Sequence, residues 1–183
     1  MAVVVGSLRR ESINRKFAHA LARLGAGTFA FNFLEIGDLP LYNDDLWQDP
    51  PASVLRLKRD VMASDAVLFV TPEHNRSIPP VLKNAIDWAS RPKGDNSWAG
   101  KPASIIGTSD GVIGTAVAQA HLRSVAVILG MILMGQPEVY FASKPENIDA
   151  DGAFTDKSRP FLEKYLDRFD RWITRVSERP DAP

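Results

Sequence analysis

Ala2-Val3-Val4-Val5-Gly6 is a β-branched run closed by a glycine, and Ser7 to Ile13 leads from it into Phe17, Ala20, Leu21 and Leu24 at helical spacing. A run that is apolar at every position suits a strand covered on both faces, whereas i, i+3, i+4, i+7 spacing suits a helix with one buried stripe. Gly25 and Gly27 close that helix. The opening of the chain therefore reads as strand, loop, helix, and the rest repeats the pattern.

Phe29 to Ile36 alternates Phe29, Phe31 and Phe33 with smaller or polar neighbours and reads as a second strand, followed by a long Pro- and Asp-containing loop from Gly37 to Pro51. Ser53 is expected to cap a helix carried by Val54, Leu57 and Val61, with Arg56, Lys58, Arg59 and Asp60 as its solvated side. Ala66 to Val70 is a third strand, and Pro79-Pro80 starts a helix with Val81, Leu82, Ala85, Ile86 and Ala89 along its stripe. Ala103 to Gly107 is a fourth strand, followed by a helix over about 115–129. A fifth strand near Met131 to Met134 continues irregularly through Val139 to Phe141. A last helix covers about 157–176, and Ser177 to Pro183 is expected to fray.

Strands alternating with helices call for parallel pairing, because parallel strands need crossovers and the crossovers cover both faces. The expected fold is α/β, a flavodoxin-like, doubly wound five-stranded parallel sheet of order 2-1-3-4-5, as one domain over residues 1–183. Ligands of such sheets bind beyond the carboxyl ends of the strands at the topological switch, here between the first and third strands. The loops after strands one, three and four then face one crevice.

Composition narrows what that crevice serves. The 183 residues are 45% hydrophobic and 24% charged, which rules out a disordered or fibrous chain. Lys plus Arg balance Asp plus Glu at 22 each, so no basic surface for nucleic acid is expected. Cysteine is absent, which excludes disulfides, thiolate nucleophiles and cysteine-held metals and suits a reducing compartment. The longest apolar stretch, Val125 to Gly135, is too short to span a bilayer. A cytoplasmic protein without nucleic-acid or membrane partners is expected.

The first loop offers Ser7, Arg9, Ser12 and Asn14 at a helix amino terminus. Amide groups there, the positive end of the helix dipole and an arginine fork suit a phosphate. The same residues also suit a plain helix entry, with Ser12 or Asn14 as cap and Arg9 and Arg10 in solvent. Neither G-x-x-x-x-G-K-[ST] nor G-x-G-x-x-G occurs, so a mononucleotide phosphate fits better than a triphosphate or dinucleotide. The third loop, Thr71 to Ser77, presents mostly peptide groups and suits a flat ring, or else an ordinary turn in which Glu73 and Asn75 satisfy local amides. The fourth, Ser109 to Gly114, allows close backbone approach to a ligand or a plain helix entry. His19 and His121 sit in helical segments and His74 has no histidine near it in sequence, so no metal site is expected. No serine lies in G-x-S-x-G, and hydrolysis fits poorly.

Gly6-Ser7-Leu8-Arg9-Arg10-Glu11-Ser12-Ile13-Asn14-Arg15-Lys16, the eighteen-residue run Thr71-Pro72-Glu73-His74-Asn75-Arg76-Ser77 through Trp88, and Ala99-Gly100-Lys101-Pro102 resemble the NADPH-dependent FMN reductase family, in its chromate and quinone reductase branch. The likeness runs over about 3–176. It implies a subunit holding FMN noncovalently and reducing quinones, flavins, azo compounds or metal oxyanions such as chromate with NADPH or NADH. By motif, Ser7, Arg9, Ser12 and Asn14 would cradle the phosphate. Pro72, Glu73, His74, Asn75 and Ser77 would line the isoalloxazine, and Ser109, Asp110 and Gly111 would approach it from the fourth loop. No residue is expected to be catalytic in itself, since the flavin carries the hydride chemistry.

The family usually has Tyr in place of His74, and its Ser-x-Gly-x-x-Gly-Gly pattern is altered over residues 109–115. The resemblance also implies a dimer or tetramer, with Trp47 and Trp98 as expected boundary contacts. A flavodoxin-type carrier passing electrons to a protein is the alternative, disfavoured by the neutral charge. A flavin-free binding module is the third reading.

Overall fold

β1 (Ala2–Val5) and β3 (Val67–Val70) are buried at every residue, as their unbroken apolar runs require, in a computed structural model that describes residues 1–178. They lie side by side in a parallel sheet of order β2-β1-β3-β4-β5. β2 is Asn32–Phe33, β4 is Pro102–Ser109 and β5 is Ile132–Leu133. Ala2, Val67, Ala103 and Leu133 stand in register across it. The outer edge is one interrupted strand. β5 pairs with the first residues of β4, and β6 (Val139–Ala142) pairs with Ile106–Ser109. Between them lies Pro137, which has no N–H to continue the ladder and follows a cis peptide.

The helices are α1 (Ile13–Leu24), α2 (Ala52–Met62), α3 (Pro80–Ala89), α4 (Ala116–Ile128) and α5 (Arg159–Ser177). Alternate side chains of the strands feed two cores. Val3, Val5, Leu68 and Ile106 pack with Phe17 and Leu21 of α1 and with Tyr165 and Phe169 of α5. Val4, Phe69 and Ile105 pack on the other face with Leu57, Leu82, Ile86 and Leu122 of α2, α3 and α4.

Several local expectations are corrected. The second strand is two residues long, not eight. Phe29, Phe31 and Phe33 still pack toward one core and Leu34 and Ile36 toward the other, so the alternation is preserved without the ladder. Ser53 does not cap α2; Pro51, with its fixed φ, is the N-cap, and Ser53 falls inside the first turn.

Lys58 is buried, not solvated. Its ammonium donates to the carbonyls of Arg91 and Asp95, each at 2.6 Å, and lies 3.3 Å from the Asp95 carboxylate. Trp98 is fully buried and cannot be a boundary contact. The 91–100 turn folds back over the core, where the indole N–H donates to the Ile86 carbonyl and the ring lies 5.6 Å from that of Phe69. Trp47 is half-buried, edge-on to Trp88. Of the expected frayed tail, Ser177 ends α5 and Glu178 is its C-cap, while residues 179–183 lie outside the described residues.

Candidate functional site

The carboxyl ends of β1, β3 and β4 open into one crevice of about 680 Å³, walled by the loops that follow them. The first loop turns sharply out of β1. The Gly6 amide still donates to Val70 O, and the Ser7 amide turns back to Val5 O. Ser12 is the N-cap of α1, its Oγ accepting from the Arg15 amide at 3.2 Å. Among the described residues the amides of Leu8, Arg9, Ile13 and Asn14 donate to no protein acceptor, so a set of N–H donors gathers at the positive end of α1.

Charge at this end is net positive. Lys16 is taken up by Glu11 at 2.6 Å, and that ammonium holds the Glu11 carboxyl below its usual range. Arg9, Arg10 and Arg15 make no ion pair among the described residues. Asn14 has a second duty, since its amide donates to Thr108 O at 2.8 Å and its Oδ1 accepts from Thr108 N at 3.0 Å. Both of its polar atoms are thus engaged by β4, and α1 is fastened to the end of that strand.

The third loop is more ordered than its composition indicates. His74 and Ser77 exchange both backbone hydrogen bonds at 2.9 Å around Asn75 and Arg76, whose φ values of 50° and 64° make a tight two-residue hairpin turn. That turn carries the Asn75 side chain into solvent. The Ser77 hydroxyl faces His121 Nδ1 on α4 at 3.2 Å. Glu73 reaches the same helix. Its Oε2 accepts from the Val117 and Ala118 amides at 3.0 and 3.1 Å, while its Oε1 meets Arg76 at 3.2 Å. Thr115, at the N-cap in the left-handed region, makes no side-chain cap bond, so a carboxylate from the neighbouring loop caps α4 instead.

Close approach also explains two glycines. A Cβ on Gly107 would lie 2.2 Å from Thr71 O. One on Gly114, at φ +60°, would lie 2.4 Å from the Tyr140 carbonyl carbon. In the fourth loop the Ser109 hydroxyl donates to Gly111 O at 3.0 Å.

Of the residues singled out in the sequence, Ser7, Arg9, Ser12, Asn14, Pro72, Glu73, His74, Ser109 and Asp110 line the crevice together. Asn75, Ser77 and Gly111 do not. The hairpin leaves Asn75 exposed, and Ser77 faces His121 on α4 instead. The wall also includes Leu8, Ile13, Val81 and Thr108, which sequence reasoning missed. Val81 carried the signal of a core stripe, and Thr108 that of a strand end.

An open parallel sheet with a cluster of amide donors at its first strand-to-helix turn, and peptide-walled loops across its switch point, defines the flavodoxin-like class of mononucleotide-binding subunits. Within that class the chain belongs to the NADPH-dependent FMN reductase family, whose model matches residues 1–146. It is 50% identical over 174 residues to the 2-hydroxy-1,4-benzoquinone reductase of a Burkholderia species, covering 94% of this chain and 95% of that protein. To a quinone reductase of Pseudomonas putida it is 48% identical, covering 94% of each. The solved structure of FerB, a flavoenzyme NAD(P)H:(acceptor) oxidoreductase from Paracoccus denitrificans, superimposes with a TM-score of 0.93 at 53% identity, covering 96% of this chain and 97% of that one. The chain is therefore an oxidoreductase of the flavin-dependent kind, and the readings as a flavodoxin-type carrier or a flavin-free module are set aside.

Proposed function

We propose that the crevice holds FMN noncovalently, with Ser7, Arg9, Ser12 and the amides at the start of α1 on its phosphate, and that the chain uses NAD(P)H to reduce quinones. The observation that carries this assignment is the group of partnerless amides at one end of a crevice whose further lining includes Pro72, His74, Pro79, Pro80 and Val81. Such an end takes an anion, and such walls take a flat ring. When bound, FMN supplies the hydride chemistry between reductant and acceptor.

The protein's part is positional. Pro72, His74 and the backbone between them would line the ring from the third loop, and Ser109 and Asp110 would approach it from the fourth. Glu73 acts on the ring indirectly, by holding the third loop against α4. Asn14 acts in the same way on the phosphate end, since both its polar atoms hold β4. Quinone as acceptor is supported by what the relatives are; flavins, azo compounds and chromate are further acceptors of the same proposal.

One FMN-binding domain over 1–183, working in the cytoplasm as a homodimer or homotetramer, completes the reading. Leu8, Leu41, Val112 and Ile113 are exposed apolar side chains in the loops at the crevice end of the sheet, a surface that suits a second copy. Among the described residues no helix is long and apolar enough to cross a membrane.

The test is the absorption spectrum of the purified protein. Flavin bands that bleach on anaerobic NADPH and return on adding a quinone are the expected result. A protein without flavin that gains none on incubation with FMN overturns the proposal, and light scattering on the same sample reads the oligomeric state.

A further inference from the structure

α5 carries Lys164, Arg168, Arg171 and Arg175 at i, i+4, i+7 and i+11, a spacing that puts four cations on one face of the helix. All four are exposed. Like charges three and four residues apart repel, so such a stripe weakens a helix unless something negative meets it. Asp167 meets Arg171 at 3.0 Å, just as Glu163 meets Arg159 at 3.2 Å. Those are the ion pairs of α5 among the described residues, and the side chains of Lys164, Arg168 and Arg175 are in neither. Arg175 stands in the last turn, where the helix dipole favours a cation; Lys164 and Arg168 lack that support.

The stripe lines two adjoining hollows where α5 passes the segment between β5 and β6. One, of about 320 Å³, is lined by Arg168, Arg171, Trp172, Arg175 and residues 134–136. The other, of about 270 Å³, is lined by Phe161, Lys164, Arg168, Gln136 and Pro137. They share Arg168 and Gln136, no carboxylate lines either, and none of their residues lines the crevice. The amides of Gly135 and Gln136 donate to no protein acceptor among the described residues, which adds neutral donors to the cations. Trp172 gives its N–H to Ile132 O at 3.1 Å and so contributes surface, not a donor, and Phe161 is 44% exposed.

Cations and amides without acceptors, beside aromatic and proline surface, suit a ligand that is anionic in one part and flat in another. Guanidinium forks match pairs of phosphate oxygens, and a nucleobase has a face for an aromatic ring. An acidic peptide would use the charges but not that surface. We infer that this groove on α5 is a second ligand site, distinct from the crevice, which takes the phosphates of a nucleoside polyphosphate on Arg168 and Arg175. It lies at the sheet edge beyond β4, so its ligand does not contend with nicotinamide for the crevice.

The experiment is calorimetric titration of the full-length protein as purified with ADP, with inorganic pyrophosphate and with a hexaglutamate peptide. ADP is expected to bind, more tightly than pyrophosphate, and less tightly as salt is raised. Arg168→Gln and Arg175→Gln are each expected to weaken ADP binding about tenfold, the scale of one hydrogen bond to a charged group. Arg159→Gln, on the same helix but already paired and outside the groove, is expected to leave it unchanged.

No binding of ADP by the parent overturns the inference. So does equal affinity in the parent and both groove variants, which would put ADP in the crevice, and so does an equal loss in Arg159→Gln, which would mean diffuse charge and no site. Pyrophosphate binding as tightly as ADP removes the nucleoside from the assignment, and hexaglutamate binding more tightly than ADP makes the groove a surface for acidic peptide instead.

Discussion

Arg9 and Glu73 show how differently two charged residues on one crevice act. Arg9 is exposed, makes no ion pair among the described residues and stands beside amides that need an acceptor. Arg9→Ala is expected to weaken FMN binding by about 1.5–3 kcal/mol, the worth of a charge-assisted hydrogen bond, and to leave the melting temperature of the flavin-free protein unchanged. Titration with FMN and a thermal melt check both halves.

Glu73 already has its partners, two amides of α4 and Arg76. Glu73→Ala removes a cap supplied from another loop, and a destabilisation of about 0.5–2 kcal/mol is expected in denaturant unfolding. That division was not legible from the chain. Glu73 and Val117 are far apart in sequence, and nothing near Thr115 announces that its helix is capped from elsewhere. The outward turn of Asn75 was equally hidden, since two consecutive left-handed residues at Asn75-Arg76 lack the glycine that usually marks such a turn.

At the scale of elements, the five helices follow their apolar spacing closely, because one buried stripe per helix is a property of the local sequence. Edge strands follow it less well. β2 needs only two residues of pairing once its phenylalanines reach one core and Leu34 and Ile36 the other, and the proline at 137 divides the opposite edge into β5 and β6. Lys58 is the clearest departure. By spacing it belongs to the polar side of α2, yet its ammonium ties that helix to the turn after α3 through the carbonyls of Arg91 and Asp95. Lys58→Met keeps the apolar stem and strands those carbonyls. A loss of about 1–3 kcal/mol in unfolding free energy is expected, and equal stability of parent and variant in urea melts would count against the tie.

For the whole molecule, the decisive feature is that three loops from one end of one sheet face a single crevice. With the third loop held to α4 by Glu73 and the first held to β4 by Asn14, its walls are fastened from both sides. If such a slot admits one flat partner at a time against bound flavin, nicotinamide and quinone take turns. Initial rates over a grid of NADPH and quinone concentrations are expected to give parallel double-reciprocal lines. Intersecting lines would mean that both substrates fit at once.

The order of the sheet, the crevice at its switch point and the gathering of donors where the first loop enters α1 were readable in the chain itself. Apolar periodicity, glycine and proline positions and helix amino termini are local signals, and a right-handed parallel sheet has few ways to connect them. What needed the tertiary structure was the partner of each polar group: Lys58 on the 91–95 turn, Trp98 under that turn, Glu73 on α4 and Asn14 on Thr108. Hydrogen bonds between residues far apart in the chain leave no periodic trace. Only the assembled fold decides which donors are satisfied by protein and which face the crevice.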